Sequence, residues 1–152
     1  MSKKALGQEH PDTLTRVANL ASTYWNQGRW SEAEDLGIQV MESSKKILGQ
    51  EHPDTLARVA NLASTYWSQG RLEEAEKLWV QVVEMSNKVL GQEHHDTLAI
   101  IAGLASTWKS QGRLEEAFTL MEKCIQLREQ ILGPDHPHTR FSVNTIDQWR
   151  KE

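Results

Sequence analysis

The sequence predicts an all-α fold, an α-α superhelix of three helix–turn–helix repeats followed by a C-terminal capping helix. Three observations predict it. The segment Leu6 to Leu14 returns as Leu48 to Leu56, identical in all nine residues, and again as Leu90 to Leu98 with His95 in place of the proline. The step is 42 residues each time, and residues 6–47 and 48–89 agree at 31 of 42 positions. Within each period, apolar residues recur at helical spacing on both sides of a Gln-Gly-Arg break. Residues 1–152 therefore read as a single array, with repeats at about 6–47, 48–89 and 90–131 and a capping helix over 137–150.

The second repeat shows how each element arises. Leu48-Gly49 ends the preceding helix, because glycine adopts the left-handed conformation without a Cβ clash. Pro53 suits a first helical position, where its missing N–H costs nothing, and it pushes His52 into extended backbone. Asp54 complements the positive end of the helix dipole. Leu56, Val59, Ala60, Leu62, Ala63 and Tyr66 then form the apolar stripe of the first helix. Gln69-Gly70-Arg71 is the turn. The second helix opens with Glu73-Glu74, carries Ala75, Leu78, Trp79, Val82 and Val83 inward, and ends near the basic Lys88. Ala33, Ala75 and Ala117 on second helices, and Ala21, Ala63 and Ala105 on first ones, allow close helix approach. A single helix pair cannot bury such a stripe, so neighbouring repeats complete the core. In the last helix Phe141, Val143, Ile146 and Trp149 are expected to face inward or cover the open end.

Two departures stand out. Gly37 takes the place held by Trp79 and Met121, which predicts that the first repeat is loosely packed or leans on a neighbour. His95 replaces proline, which predicts a less sharply set helix start. Ser2-Lys3-Lys4 matches Ser44-Lys45-Lys46, the end of a second helix, so the chain is expected to be part of a longer array.

Composition excludes several classes. The net charge is −4 with both signs interspersed, and no basic stripe marks a nucleic-acid surface. No run of about 18 apolar residues is present to span a membrane. Cys124 is the only cysteine, so a reducing, cytoplasmic location is expected. It lies on an apolar stripe beside Leu120 and Leu127, where an inert buried thiol is expected. His10, His52, His94 and His136 recur once per repeat, which fits helix initiation rather than a metal centre. Glu73-Glu74 and Glu115-Glu116 fit first-turn dipole complementarity. No catalytic, metal-binding or cofactor-binding residue is assigned.

The pattern Leu20-Ala21, Tyr24, Gly28, Ala33 resembles the tetratricopeptide repeat, as do Leu62-Ala63, Tyr66, Gly70, Ala75 and Leu104-Ala105, Trp108, Gly112, Ala117. The 42-residue period with its Leu-Gly…His-Pro-Asp-Thr-Leu junction is similar to the kinesin light chain variant of that repeat. The terminal Gly133-Pro134-Asp135-His136-Pro137-His138-Thr139, followed by a helix reaching Trp149, is similar to the ends of repeat arrays in fungal immune-receptor-like nucleotide-binding proteins. The resemblance implies a protein-interaction scaffold, a concave surface lined by first helices, and a place in a larger sensor or adaptor. It brings no cofactor.

On that surface a polar row is expected, away from the apolar stripe. Asn19 and Asn61 form an amide ladder, and Ser22, Ser64 and Ser106 a hydroxyl ladder. Trp25 and Trp67 stand beside them, with Lys109 in the third repeat and Arg16 and Arg58 at the edge. One reading is a groove for a peptide or partner protein, since an amide offers the donors and acceptor an extended backbone needs. In the resembled family the equivalent asparagine often contacts peptide, which is carried to Asn19 and Asn61 only. The other reading has the asparagines tying helices together, the tryptophans packing on the next repeat, and the arginines solvated. A competing function is architectural, with near-identical units stacking into homo-oligomers and no dedicated peptide.

Overall fold

The computed structural model describes residues 11–152. Among them are seven helices and no strand: α1 Pro11–Asn26, α2 Trp30–Ile47, α3 Pro53–Ser68, α4 Leu72–Val89, α5 His95–Ser110, α6 Leu114–Leu132 and α7 Pro137–Lys151. The first copy of the junction before Pro11 and the Ser2-Lys3-Lys4 match lie outside the described residues. The chain divides into two compact units, one reaching Met85 and the other running from Ser86 to Glu152.

Short backbone rules set the helix ends. Gly28, Gly70 and Gly112 in the Gln-Gly-Arg turns, and Gly49, Gly91 and Gly133 at the junctions, all have positive φ, between 76° and 96°. Side chains other than glycine rarely adopt that conformation. Each described junction histidine caps the helix after it. The backbone N–H of Asp54 donates to Nδ1 of His52 at 3.0 Å, that of Asp96 to His94 at 3.1 Å, and that of His138 to His136 at 3.1 Å. Helix α5 starts at His95, in register with Pro53 and Pro137. The cap therefore sets the start even where proline is missing, and the expected blurring at His95 does not occur.

In the first unit, Leu14, Ala18 and Val40 form a core between α1 and α2, with Val17 and Ile47 packed against it. Helix α3 adds Leu56, Val59, Leu62 and Ala63, all 5% exposed or less. Burying a leucine stabilises by roughly 2 kcal/mol. Leu20, which aligns with Leu62 and Leu104, is 44% exposed. In the second unit, Leu98, Ile101, Leu104, Met121, Cys124 and Ile146 are buried where α5, α6 and α7 meet. Ala33, Ala75 and Ala117 are at most 2% exposed, as close helix approach requires.

The turn arginine of each repeat holds its two helices together. Arg29, Arg71 and Arg113 lie 4.3–4.7 Å over the rings of Tyr24, Tyr66 and Trp108. Each also binds a first-turn glutamate of the following helix, Glu32, Glu74 and Glu116 respectively. Arg71 further reaches Glu34 of α2 at 2.7 Å, linking the first two repeats.

The junction changes character along the chain. Thr55 Oγ1 donates to the Ser44 carbonyl at 3.3 Å, and Ser86 Oγ lies 2.7 Å from Thr97 Oγ1. In the third repeat Arg128 replaces that serine, is buried, and donates to the His138 carbonyl and to Ser142 Oγ. Thr139 Oγ1 is left without a partner.

Helix α7 packs on α6. Ile146 is buried, and Trp149 meets Phe118 edge-on at 5.9 Å. Of the two expectations for Phe141, the inward-facing one is corrected: it is 70% exposed. It aligns with Thr15, Ala57 and Ala99, all of them exposed, so its register places it outside the core. Among the described residues no helix is long and apolar enough to cross a membrane.

Candidate functional site

The first helices of repeats one and two flank a cavity of about 270 Å³ in the first unit. Ala18, Ala21, Ser22, Trp25 and Asn26 of α1 form one wall, and Arg58, Asn61, Leu62, Ser64 and Thr65 of α3 the other. Ala33, Gly37 and Val40 of α2 form the floor. The floor is apolar and the rim polar, which is the usual composition of a binding site. The absent side chain at Gly37 opens the space. A Cβ there would lie 3.3 Å from Leu62 Cδ1, so Leu62 leans toward the gap. The expected loose packing of the first repeat is thus a defined cavity.

Five of the ten candidate residues, Ser22, Trp25, Arg58, Asn61 and Ser64, line this cavity. Among the described residues the side-chain amides of Asn19 and Asn61 bond to nothing. The threonines at i+4, Thr23 and Thr65, donate to their backbone carbonyls instead. The asparagines therefore do not tie helices together here. Trp25 behaves differently, because its indole N–H donates to Ser68 Oγ of α3 at 3.0 Å while its ring stays 38% exposed. Trp67 is 42% exposed. Arg58 Nε is buried and has no partner, and Arg16 is exposed on α1.

The remaining two candidates belong to the second unit. Ser106 lines a smaller cavity of about 200 Å³ with Ala102, Gly103, Met121, Phe141, Ser142 and Thr145. Its Ala102, Ser106, Met121, Ser142 and Thr145 stand, two repeats on, where Ala18, Ser22, Gly37, Arg58 and Asn61 line the first cavity. Lys109 pairs with Glu152, so its ammonium is engaged within the chain. Ile100, aligned with Arg16 and Arg58, is buried. Neither the amide row nor the charged edge continues past the second repeat, since Gly103 stands where Asn61 does.

The titratable groups serve structure. Hydrogen bonding to Arg71 holds the Glu74 carboxyl below the usual carboxylate range, and Arg113 does the same for Glu116. Burial, followed by the Glu34 charge, pushes the Tyr66 phenol up. Burial also pushes the Cys124 thiol up, which suppresses the reactive thiolate. Its Sγ donates to the Leu98 carbonyl at 3.5 Å. Among the described residues His94, His95 and Asp96 bring three potential metal ligands within 4.8 Å. His94 Nδ1 already accepts the cap hydrogen bond, His95 Nδ1 lies 3.0 Å from Asp96 Oδ1, and the helix N-terminus opposes a cation. The grouping is explained by its capping geometry.

The family model described as tetratricopeptide repeat matches residues 13–54, 55–96 and 97–138, three consecutive 42-residue periods. No curated protein matches. Among solved structures, the chain is similar to a Podosopora anserina protein labelled a kinesin light chain with nearly identical TPR-like repeats. The identity is 33% and the TM-score 0.84, over 92% of this chain and 66% of that one. A point variant of the same array gives 35% and 0.73, over 81% and 58%. BtubC (BKLC) of P. vanneervenii gives 18% and 0.79, over 96% and 59%, a likeness of fold. The chain spans 58–66% of the length of these structures.

Proposed function

Because the chain belongs to the tetratricopeptide repeat family, whose fold is of the non-catalytic, protein-interaction scaffold type, we propose that it holds an extended peptide of a partner protein against the shared face of α1 and α3. The observation that carries this is the cavity between those helices, rimmed by Ser22, Asn61 and Ser64 with the Asn61 amide unbonded. An amide in that state can donate to and accept from a peptide backbone without first breaking an internal bond. The exposed rings of Trp25 and Trp67 add flat apolar area beside it, the residue type that dominates binding energy. Asn19 and Arg16 extend the row on α1. Ser106 and Lys109 belong to the second unit and are not part of this face; there Lys109 pairs with Glu152.

A random-peptide display selection tests the reading. The parent chain and an Asn19→Ala, Asn61→Ala, Trp67→Ala variant are screened side by side after circular dichroism shows both folded. Peptides enriched on the parent alone place recognition on this face. Equal enrichment on both chains puts the site elsewhere.

A second reading is favoured by Leu20. Its counterparts Leu62 and Leu104 are 5% exposed or less, whereas Leu20 presents an uncovered packing surface. A helix pair of a second copy can cover it, giving a stacked, self-associating array. Sedimentation of the parent and of Leu20→Glu separates the two: a strict monomer at high concentration removes the stacking reading.

A further inference from the structure

We propose that the start of α7 is an acid-sensitive latch: proton uptake by His136 and His138 undoes the cap of this helix and releases it from α6. A fall in pH then uncovers Phe118, which Trp149 meets edge-on, and the surface under the buried Ile146. The latch lies wholly within the second unit and is independent of the peptide face on α1 and α3.

The start of α7 differs from the starts of α3 and α5 in its charge and in its footing. His138 stands where those helices carry Asp54 and Asp96, so α7 has no acidic residue in its first turn to complement the helix dipole. The junction beneath it has also lost a hydrogen bond. Thr55 and Thr97 bond to Ser44 and Ser86 of the preceding helix, whereas Thr139 Oγ1 is buried without a partner. Two imidazoles stack at this turn, His136 on His138, with centroids 5.1 Å apart. His94 and His95 stack likewise at the start of α5, but there His95 Nδ1 lies 3.0 Å from the Asp96 carboxylate.

Neutral imidazole holds this turn together. His136 Nδ1 accepts the N–H of His138 at 3.1 Å. A protonated imidazole carries N–H on both nitrogens, so it cannot accept that bond. Imidazole changes charge between about pH 5 and 8. The cap is therefore complete above that range and is lost as pH falls through it. A proton on His138 adds a second positive charge, stacked on the first, at the positive end of the helix dipole. The surrounding charges oppose both protons. Arg128 of α6 is buried, donates to the His138 carbonyl and to Ser142 Oγ, and pairs with no carboxylate among the described residues. Arg140 follows His138 by two residues. The acidic residues nearest along the chain are Asp135 and, in the last turn of α6, Glu129, and neither pairs with an imidazole among the described residues. At the far end of α7, Arg150 faces Glu122 of α6 and Glu152 pairs with Lys109 of α5. Those carboxylates keep their charge above about pH 5, so acid in the imidazole range acts at the start of the helix.

Amide hydrogen exchange of the full chain tests the latch, at about pH 7.5 and about pH 5.5, corrected for the intrinsic pH dependence of exchange. Amides of α7 are expected to lose protection by about tenfold or more between the two. Those of α5, which keeps Asp96 in its first turn, are expected to lose less than about threefold. This comparison needs no variant. A His136→Asn, His138→Asp variant keeps a cap acceptor and restores the first-turn acid without a titrating imidazole. Its α7 protection is expected to stay within about threefold over the same interval. Unchanged α7 protection in the parent overturns the latch, and so does a loss that α5 shares equally. An equal α7 loss in the folded variant overturns it as well, because the histidines are then not its cause.

Discussion

The indole N–H of Trp25 donates to Ser68 Oγ at 3.0 Å, joining the last turn of α1 to the last turn of α3. One tryptophan thus closes a wall of the Gly37 cavity and fastens two repeats together. Removing the acceptor in Ser68→Ala leaves the indole near water, since Trp25 is 38% exposed. The expected cost is therefore only about 0.5–1 kcal/mol. Urea unfolding of the two proteins measures it. A loss beyond about 2 kcal/mol would mean that the bond organises the whole α1–α3 wall rather than one contact.

Much of the fold is legible in the sequence because the devices that end its helices are local. A glycine at positive φ, a histidine ahead of the first turn and a proline at the first helical position each act within a few residues, so the period of 42 reveals them. The contacts between helices are less legible. Gln-Gly-Arg reads as a turn, but that Arg71 lies over Tyr66 while gripping Glu74 depends on where the folded turn points. Phe141 was readable by register, since it aligns with Ala57 and Ala99, yet its hydrophobicity suggested the core. The Gly37 gap was visible as a missing side chain. That Arg58 would sit over it with a buried, unpartnered Nε was not, because a lone arginine on a helix usually stays in water. Arg128 was unread for the same reason, though it fills a serine position.

Gly37→Ala is expected to stabilise the protein. A glycine within a helix costs about 1 kcal/mol relative to alanine. The added Cβ would approach Leu62 Cδ1 at 3.3 Å, which is tight. Leu62 itself borders the cavity, so its methyl group has room to withdraw. A gain of about 0.5–1 kcal/mol is expected, read as a rise of roughly 2–3 °C in melting temperature. A fall would mean that Leu62 is pinned and that the cavity wall is rigid.

His52→Ala removes the acceptor for the Asp54 N–H and is expected to cost about 1 kcal/mol. His52→Asn offers a side-chain oxygen at the same place and is expected to restore most of it. Thermal unfolding of the pair separates capping from any packing role of the imidazole, because asparagine replaces the first and not the second. The same substitutions at His94 are expected to cost at least as much, since α5 has no proline at its first position to fix the backbone.

Acid should weaken the turn clamps in a predictable direction. The carboxyls of Glu74 and Glu116 are held below the usual range by hydrogen bonds from Arg71 and Arg113. A depressed carboxyl binds its proton less readily folded than unfolded. Its contribution is therefore complete above the unfolded value, ~4.3, and is lost as pH falls through the folded value. Both carboxyls are exposed at the surface, so water and salt screen the effect and it is modest. Arg71→Gln with Arg113→Gln removes the cause while keeping a polar side chain at each turn. Urea unfolding at pH 7 and again near pH 3 is expected to show the parent losing more stability than this variant over the interval. Equal losses would mean that the arginines hold the turns through the Tyr66 and Trp108 rings, a contact that carboxyl titration does not break.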